Sequence, residues 1–177
     1  MKFKHLILFI SFLTFFTAKA QVLPIDSTTR KITFQETIAL DSLSKDTLFA
    51  RSLEWMTHYY KTSKFDVNDK ISKIGIESYF IVSLTYDFKY KSEHNVTYEI
   101  LINVRDGKYK YSLTNFTIYA VKTGPKSSQP LEAAFAKMTT PNKKEFYAQF
   151  NNQTKLLTDD LKTSISTGKI KKVDEWK

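Results

Sequence analysis

Between Lys31 and Leu40 apolar and polar side chains alternate: Ile32, Phe34, Ile38 and Leu40 against Lys31, Thr33, Gln35 and Thr37. A two-residue period predicts a half-buried strand. Glu36 interrupts it, falling on the apolar side of the register. The period then changes. Ser44 has the chemistry of a helix N-cap, and Asp46 supplies a negative charge to the first turn. From there to about Tyr60, Leu48, Phe49, Leu53, Met56 and Tyr60 recur at helical spacing. Arg51, Glu54, His58 and Lys61 fall on the other side, so an amphipathic helix is expected. The stretch Ile71 to Ile76 is short and ambiguous. Tyr79 to Tyr90 returns to period two, with Phe80, Val82, Leu84, Tyr86 and Phe88 in one register. KSEHN (91–95) reads as the link to a further strand, Val96 to Arg105.

Asp106-Gly107, flanked by alternating segments, specifies a two-residue hairpin turn. The turn sets the pairing by counting outward: Arg105 with Lys108, Val104 with Tyr109, Asn103 with Lys110, Ile102 with Tyr111, Leu101 with Ser112, Ile100 with Leu113, Glu99 with Thr114. Cross-strand partners share a face. Val104, Tyr109, Ile102, Tyr111, Ile100, Leu113 and Tyr98 therefore make one apolar face. Arg105, Lys108, Asn103, Lys110, Ser112, Glu99 and Thr114 make a polar one, with Leu101 its single apolar member. Past Asn115 the apolar positions shift phase to Phe116 and Ile118, which predicts a bulge.

A sheet with one oily and one wet face is antiparallel and carries its helices on one side. The fold class expected is therefore α+β, with about five strands. Residues 122–140 read as a linker containing a short helix, Leu131 to Met138. A longer helix opens near Thr140-Pro141 and carries the stripe Phe146, Phe150, Leu157, Leu161 and Ile165 to a stop at Gly168. The C-terminal segment 141–177 is this helix plus a tail ending in Val173-Asp174-Glu175-Trp176. No internal repeat and no second domain is legible.

The first twenty residues change the compartment. Lys2 and Lys4 precede an apolar run from Leu6 to Phe16, and Ala18-Lys19-Ala20 is a small-x-small cleavage signal. This is the layout of a secretory signal peptide, with cleavage between Ala20 and Gln21. The apolar run is about half the roughly 20 residues a bilayer crossing needs, which makes an uncleaved membrane anchor the lesser alternative. The segment 21–30, polar with one proline, is expected to be a flexible mature N-terminus. The chain of 177 residues contains no cysteine, so disulfides, thiol catalysis, cysteine metal sites and a lipidated cysteine are excluded. The expected location is periplasmic or secreted, and the protein is not a lipoprotein. The leader removes three lysines and no acid, lowering the formal +9 charge by three and leaving a modest preference for anionic partners.

The strand ITFQETIAL, the helix opened by Ser44-Lys45-Asp46 and carrying Trp55, and the pair ending Ile100-Leu101-Ile102-Asn103-Val104-Arg105-Asp106-Gly107-Lys108-Tyr109-Lys110-Tyr111 together resemble a known family. It is a family of exported bacterial domains of unknown function with a TATA-binding-protein-like (TBP-like) fold. The resemblance covers roughly residues 30–121, and the final helix with Trp176 is in character. It implies a TBP-like α+β domain over 31–121, completed in strand–helix–strands–helix order by the helix of 141–177, and an envelope location. It implies no activity and supplies no catalytic residues.

Candidate chemistry is sparse. His58 follows Glu54 by one helical turn, a spacing that serves either acid–base work or an ordinary helix-surface pair. His94 sits beside Glu93 in the expected KSEHN loop and reads as solvated. Two histidines on different elements, with no HExxH, make no metal site. Glu36 on an apolar face would have a raised pKa and could act as general acid or base; a bulge or an edge position would explain it equally. Asp159-Asp160 are adjacent on a helix, diverge, and form no dyad. No GxSxG, Walker-type or GxGxxG motif is present, and no cofactor is expected.

Lys89-Tyr90-Lys91 and Lys108-Tyr109-Lys110-Tyr111 imitate a nucleic-acid surface, but the register sends Tyr109 and Tyr111 to the core face, away from the lysines. What remains is the wet face near the hairpin tip, with Arg105, Lys108 and Lys110. It reads either as a surface for an acidic envelope protein or polymer, or as a solvated face whose lysines guard against edge aggregation. The functional expectation is an exported non-enzymatic binding domain, the alternative a hydrolase-like enzyme using Glu36 or His58. Nothing in the sequence sets the oligomeric state.

Overall fold

The computed structural model describes residues 23–62, 64–87 and 89–170. The expected leader with its Ala20–Gln21 cleavage site, Phe88 and the Val173–Trp176 tail lie outside the described residues. The chain runs β1 (Phe34–Ala39), α1 (Lys45–Tyr60), β2 (Asp66–Asn68), β3 (Lys73–Tyr86), β4 (Tyr90–Arg105), β5 (Lys108–Ala120), β6 (Gln129–Pro130), α2 (Leu131–Lys137) and α3 (Thr140–Thr167). The strands form an antiparallel sheet in the order β1-β5-β4-β3-β2, with β6 added to β5 beyond the end of β1. All helices cover one face.

The β4–β5 register is the one the Asp106-Gly107 turn dictates. Arg105 opposes Lys108, Val104 opposes Tyr109, and the pairing continues in step to Glu99 and Thr114. It then shifts between Thr97 and Glu99, where Asn115 takes the left-handed conformation at φ 55°, which is the expected bulge. Val104, Tyr109, Ile102, Tyr111, Ile100, Leu113 and Tyr98 are all buried. Each such side chain contributes on the order of 1.5–3 kcal/mol through its removal from water. Leu101, the apolar member of the wet face, lies across Gly75 of β3. A Cβ on Gly75 would stand 2.6 Å from Leu101 Cδ2, so glycine makes room for it.

The cover comes chiefly from α1 and α3. The predicted stripe of α3 is buried throughout, with Thr154 filling the gap between Phe150 and Leu157 and returning its hydroxyl to Phe150 O at 3.0 Å. Phe146 and Phe150 stack, and Phe150 meets Phe34, Phe80 and Phe116 from β1, β3 and β5. Ser44 caps α1 as expected, accepting from the Thr47 N–H. Arg51, assigned to the polar side of α1, instead donates to Ile165 O and Ser166 O, satisfying carbonyls at the end of α3. Gly168 ends α3 at φ 66°, with the Arg51 guanidinium packed where its Cβ would be. Trp55 is buried and donates through Nε1 to Asp160 Oδ2 at 2.8 Å.

Three expectations about the segments change. The described part of the lead-in is docked rather than flexible. Leu23 is buried, Ile25 bridges Ile32, and Asp26 accepts the Thr28 and Thr29 N–H groups. The 91–95 link is strand: β3 and β4 extend to a tight turn after Tyr86, where Asp87 supplies the positive φ of 50°. Within 122–140, β6 pairs with β5 and α2 packs Leu131 into the core. Beyond β2, the exposed backbone of β3 is capped by α3. Gln149 both accepts the Ser83 N–H and donates to Ser83 O, and Glu145 accepts the Thr85 N–H. An open strand edge is thereby partly blunted.

Candidate functional site

The β4–β5 hairpin tip is fixed by the loop between β1 and α1. Gly107, at φ 68°, donates to Leu43 O and accepts from Leu40 N–H at 2.7 Å, and a Cβ would stand 3.3 Å from Asp41 Cα. Asp106 reaches across and accepts the Lys45 N–H at 2.9 Å, so the turn residue also satisfies a free donor at the start of α1. The cations beside this tip are held on an anchored ribbon.

On the bare face, the register aligns Thr37, Lys110, Asn103, Lys73 and Asn68 in one row across five strands. Arg105 and Lys108 form the row beyond. Thr37, Asn103, Lys110, Arg105 and Lys108, together with Ile71, border an open groove of about 530 Å³. The expected site residues Arg105, Lys108 and Lys110 are therefore brought together, all three exposed. None of their head groups forms an ion pair or side-chain hydrogen bond among the described residues. Asp26 lies within reach of the Lys110 charge. Its carboxyl is held below the usual range first by its hydrogen bonds from Thr29, with Lys110 the least of the causes. Lys73 joins the group unforeseen. Its position follows from the Asn103 row once β3 is known to begin at Lys73.

The cationic character stops there. Glu77 and Glu99 face each other in the next wet rows, and Glu99 accepts from Asn115 Nδ2. Further along lie the Thr97–Thr117 hydroxyl pair, Asn95 bonded to the Tyr119 hydroxyl, and the exposed side chains of Tyr79 and Ile81. The face is bipolar rather than basic throughout.

Glu36 does not have the raised pKa its register suggested. β1 is an edge strand, the carboxylate is 47 % exposed, and its Oε2 accepts from the Tyr111 hydroxyl at 2.9 Å and Lys162 Nζ at 3.2 Å. The Tyr111 bond, then the Lys162 bond, lower its pKa. The edge alternative is the correct one. His58 is exposed on α1. His94 is in β4 rather than a loop, half-buried on the helix-facing side, with Nδ1 3.0 Å from Ser92 O and Nε2 3.5 Å from the Tyr86 hydroxyl. Burial lowers its pKa. Asp159 pairs with Lys155 and Lys162, while Asp160 holds Trp55, so the two acids do diverge. Tyr109 and Tyr111 are buried on the face opposite the lysines, and burial pushes the Tyr109 hydroxyl to about 12. They cannot stack bases beside those lysines.

Residues 34–119 match the family model of a domain of unknown function (DUF4468) with TBP-like fold. Among solved structures, a TBP-like protein from Parabacteroides distasonis superposes with a TM-score of 0.61 at 16 % identity, covering 81 % of this chain and 96 % of that one. A DUF4468 family protein from Bacteroides ovatus superposes at 0.63 with 10 % identity, covering 83 % and 91 %. At these identities the likeness is one of fold. No curated protein matches the chain.

Proposed function

We propose, from the premise that this chain carries a DUF4468 domain with a TBP-like fold, that it is an exported, non-enzymatic binding module whose hairpin-end face receives an acidic protein or anionic polymer of the cell envelope. The observation that supports this most is the grouping of Arg105, Lys108 and Lys110 at an open groove, where no counter-charge among the described residues is bonded to them, with Lys73 further along the same row of the sheet. Exposed cations stabilise a fold little, so their clustering on an anchored ribbon is better accounted for by association than by stability. The hydrolase alternative loses its strongest support, because Glu36 is ionised, exposed and clamped by Tyr111 and Lys162.

Retention on immobilised polyglutamate and on an anionic polysaccharide, eluted by a salt gradient, tests the surface. Lys108→Glu with Lys110→Glu should elute well before the wild type from both while melting at the same temperature. Unchanged elution would remove this face from consideration. Export is part of the same reading and has its own check. The mass of the chain recovered from a producing cell should correspond to an N-terminus at Gln21, which lies outside the described residues.

A further inference from the structure

The helix-facing side of the sheet is incompletely filled at its far end, away from the Asp106-Gly107 hairpin. Leu84, His94 and Ile118 from three adjacent strands floor a cleft of about 400 Å³, roofed by Ala134 and Met138 and closed on one side by Asn142. That volume is in the range of small-molecule sites, about 300–1,000 Å³. The surface its walls present is mostly apolar, so an inorganic ion alone would leave it uncovered.

Two independent features give the cleft polarity. The first is the head of α3, a 28-residue helix. Thr139 precedes it without a side-chain cap bond, and no acid occupies its first turn. Lys143 N–H already bonds Thr139 O and Pro141 has no N–H, so Thr140 and Asn142 supply the donors left without a helical partner at the positive end of the dipole. The second is Asn142 in that first turn. It is 6 % exposed, yet its side-chain amide makes no hydrogen bond among the described residues. The residue is nine-tenths buried while its unpaired amide stays open to the cleft, so a ligand group entering there would meet a donor and an acceptor held in place. Lys137, exposed at the rim, adds a cation of the same sense.

We infer that this cleft binds a small organic anion with an apolar body. A carboxylate sits against the Asn142 amide and the N-terminus of α3, and the apolar part covers Leu84, Ile118 and Ala134. The site is on the opposite face and at the opposite end from the cationic groove, so it stands or falls independently of that reading.

The full chain, titrated with sodium octanoate, octylammonium chloride and inorganic phosphate and followed by amide chemical shifts, decides the matter. Octanoate should shift the amides of Leu84, Ile118, Ala134 and Asn142, with neither octylammonium nor phosphate doing so at the same concentration. Asn142→Leu should weaken octanoate by about tenfold, the size of a lost hydrogen bond to a charged group. Lys137→Glu, at an exposed position where folding is not at risk, should weaken it several-fold. The proposal is overturned by equal shifts from octylammonium, by shifts confined to the Lys108–Lys110 face, or by affinity unchanged in both variants.

Discussion

The two faces of the β4–β5 ribbon share one hydrogen-bond ladder and differ in everything else. Val104, Ile102, Tyr109 and Tyr111 are buried under the helices, while Asn103, Arg105, Lys108 and Lys110 face outward from the same peptide bonds. Residues one position apart thus answer to different forces, burial on one side and electrostatics in water on the other. Stability lives almost wholly on the first face. The second is left free to meet something else.

The contrast breaks most sharply at Val104 and Asn103. Val104→Asp buries an unpaired carboxylate and should cost more than about 4 kcal/mol, enough to unfold the domain in a denaturant titration. Asn103→Asp should stay within about 0.5 kcal/mol of wild type by the same measurement. Equal losses would mean the faces are not separate. A smaller effect is expected at the tip that joins them. Asp106→Ala removes both the turn carboxylate and the bond to Lys45 N–H, and should cost about 1–2 kcal/mol in the same titration.

The least effect belongs to Glu36, whose outer-edge carboxylate interacts with both the core-facing Tyr111 hydroxyl and Lys162. Its folded pKa is lowered, so its contribution is complete above the unfolded value and is lost as pH falls through the folded one. Glu36→Gln should cost at most about 0.5 kcal/mol near neutrality. The gap between variant and wild type should close below about pH 4. A gap that widens on acidification would mean the carboxylate is destabilising as an ion, contrary to its partners.

How far the sequence could be read depended on whether the deciding interaction was local. Asp106-Gly107 declares its turn through glycine and an adjacent carboxylate, and from it the whole pairing and both faces followed correctly. The β3–β4 turn has no glycine. Asp87 provides the left-handed residue instead, and within Lys91 to Asn95 the alternate residues face the wet side while His94, on the helix side, borders a cleft rather than the packed core. Polar residues in a strand over an unfilled space look like a loop. Arg51 was misassigned because its partners, Ile165 O and Ser166 O, are over a hundred residues away. Leu23 lies in a polar segment whose docking depends on the Ile25–Ile32 bridge and on Glu132 of α2, which accepts the Ile32 N–H. Of the candidate surface, the three cations on one ribbon were legible. Lys73, and on the other face the half-open cleft beside Asn142, were not, since each depends on which distant element lies alongside.

The pairing of β1 with β5 carries a consequence for how the molecule is made. Phe34 to Ala39 leave the ribosome early, but their mates, Lys108 to Leu113, are translated only after α1 and the two long inner strands. The first strand of the chain thus waits for the fifth, and until β5 is made it has no sheet backbone to lie against. A substitution that weakens β1 should hasten unfolding more than it slows folding if β1 joins the sheet after the rate-limiting step, and slow folding if it joins before.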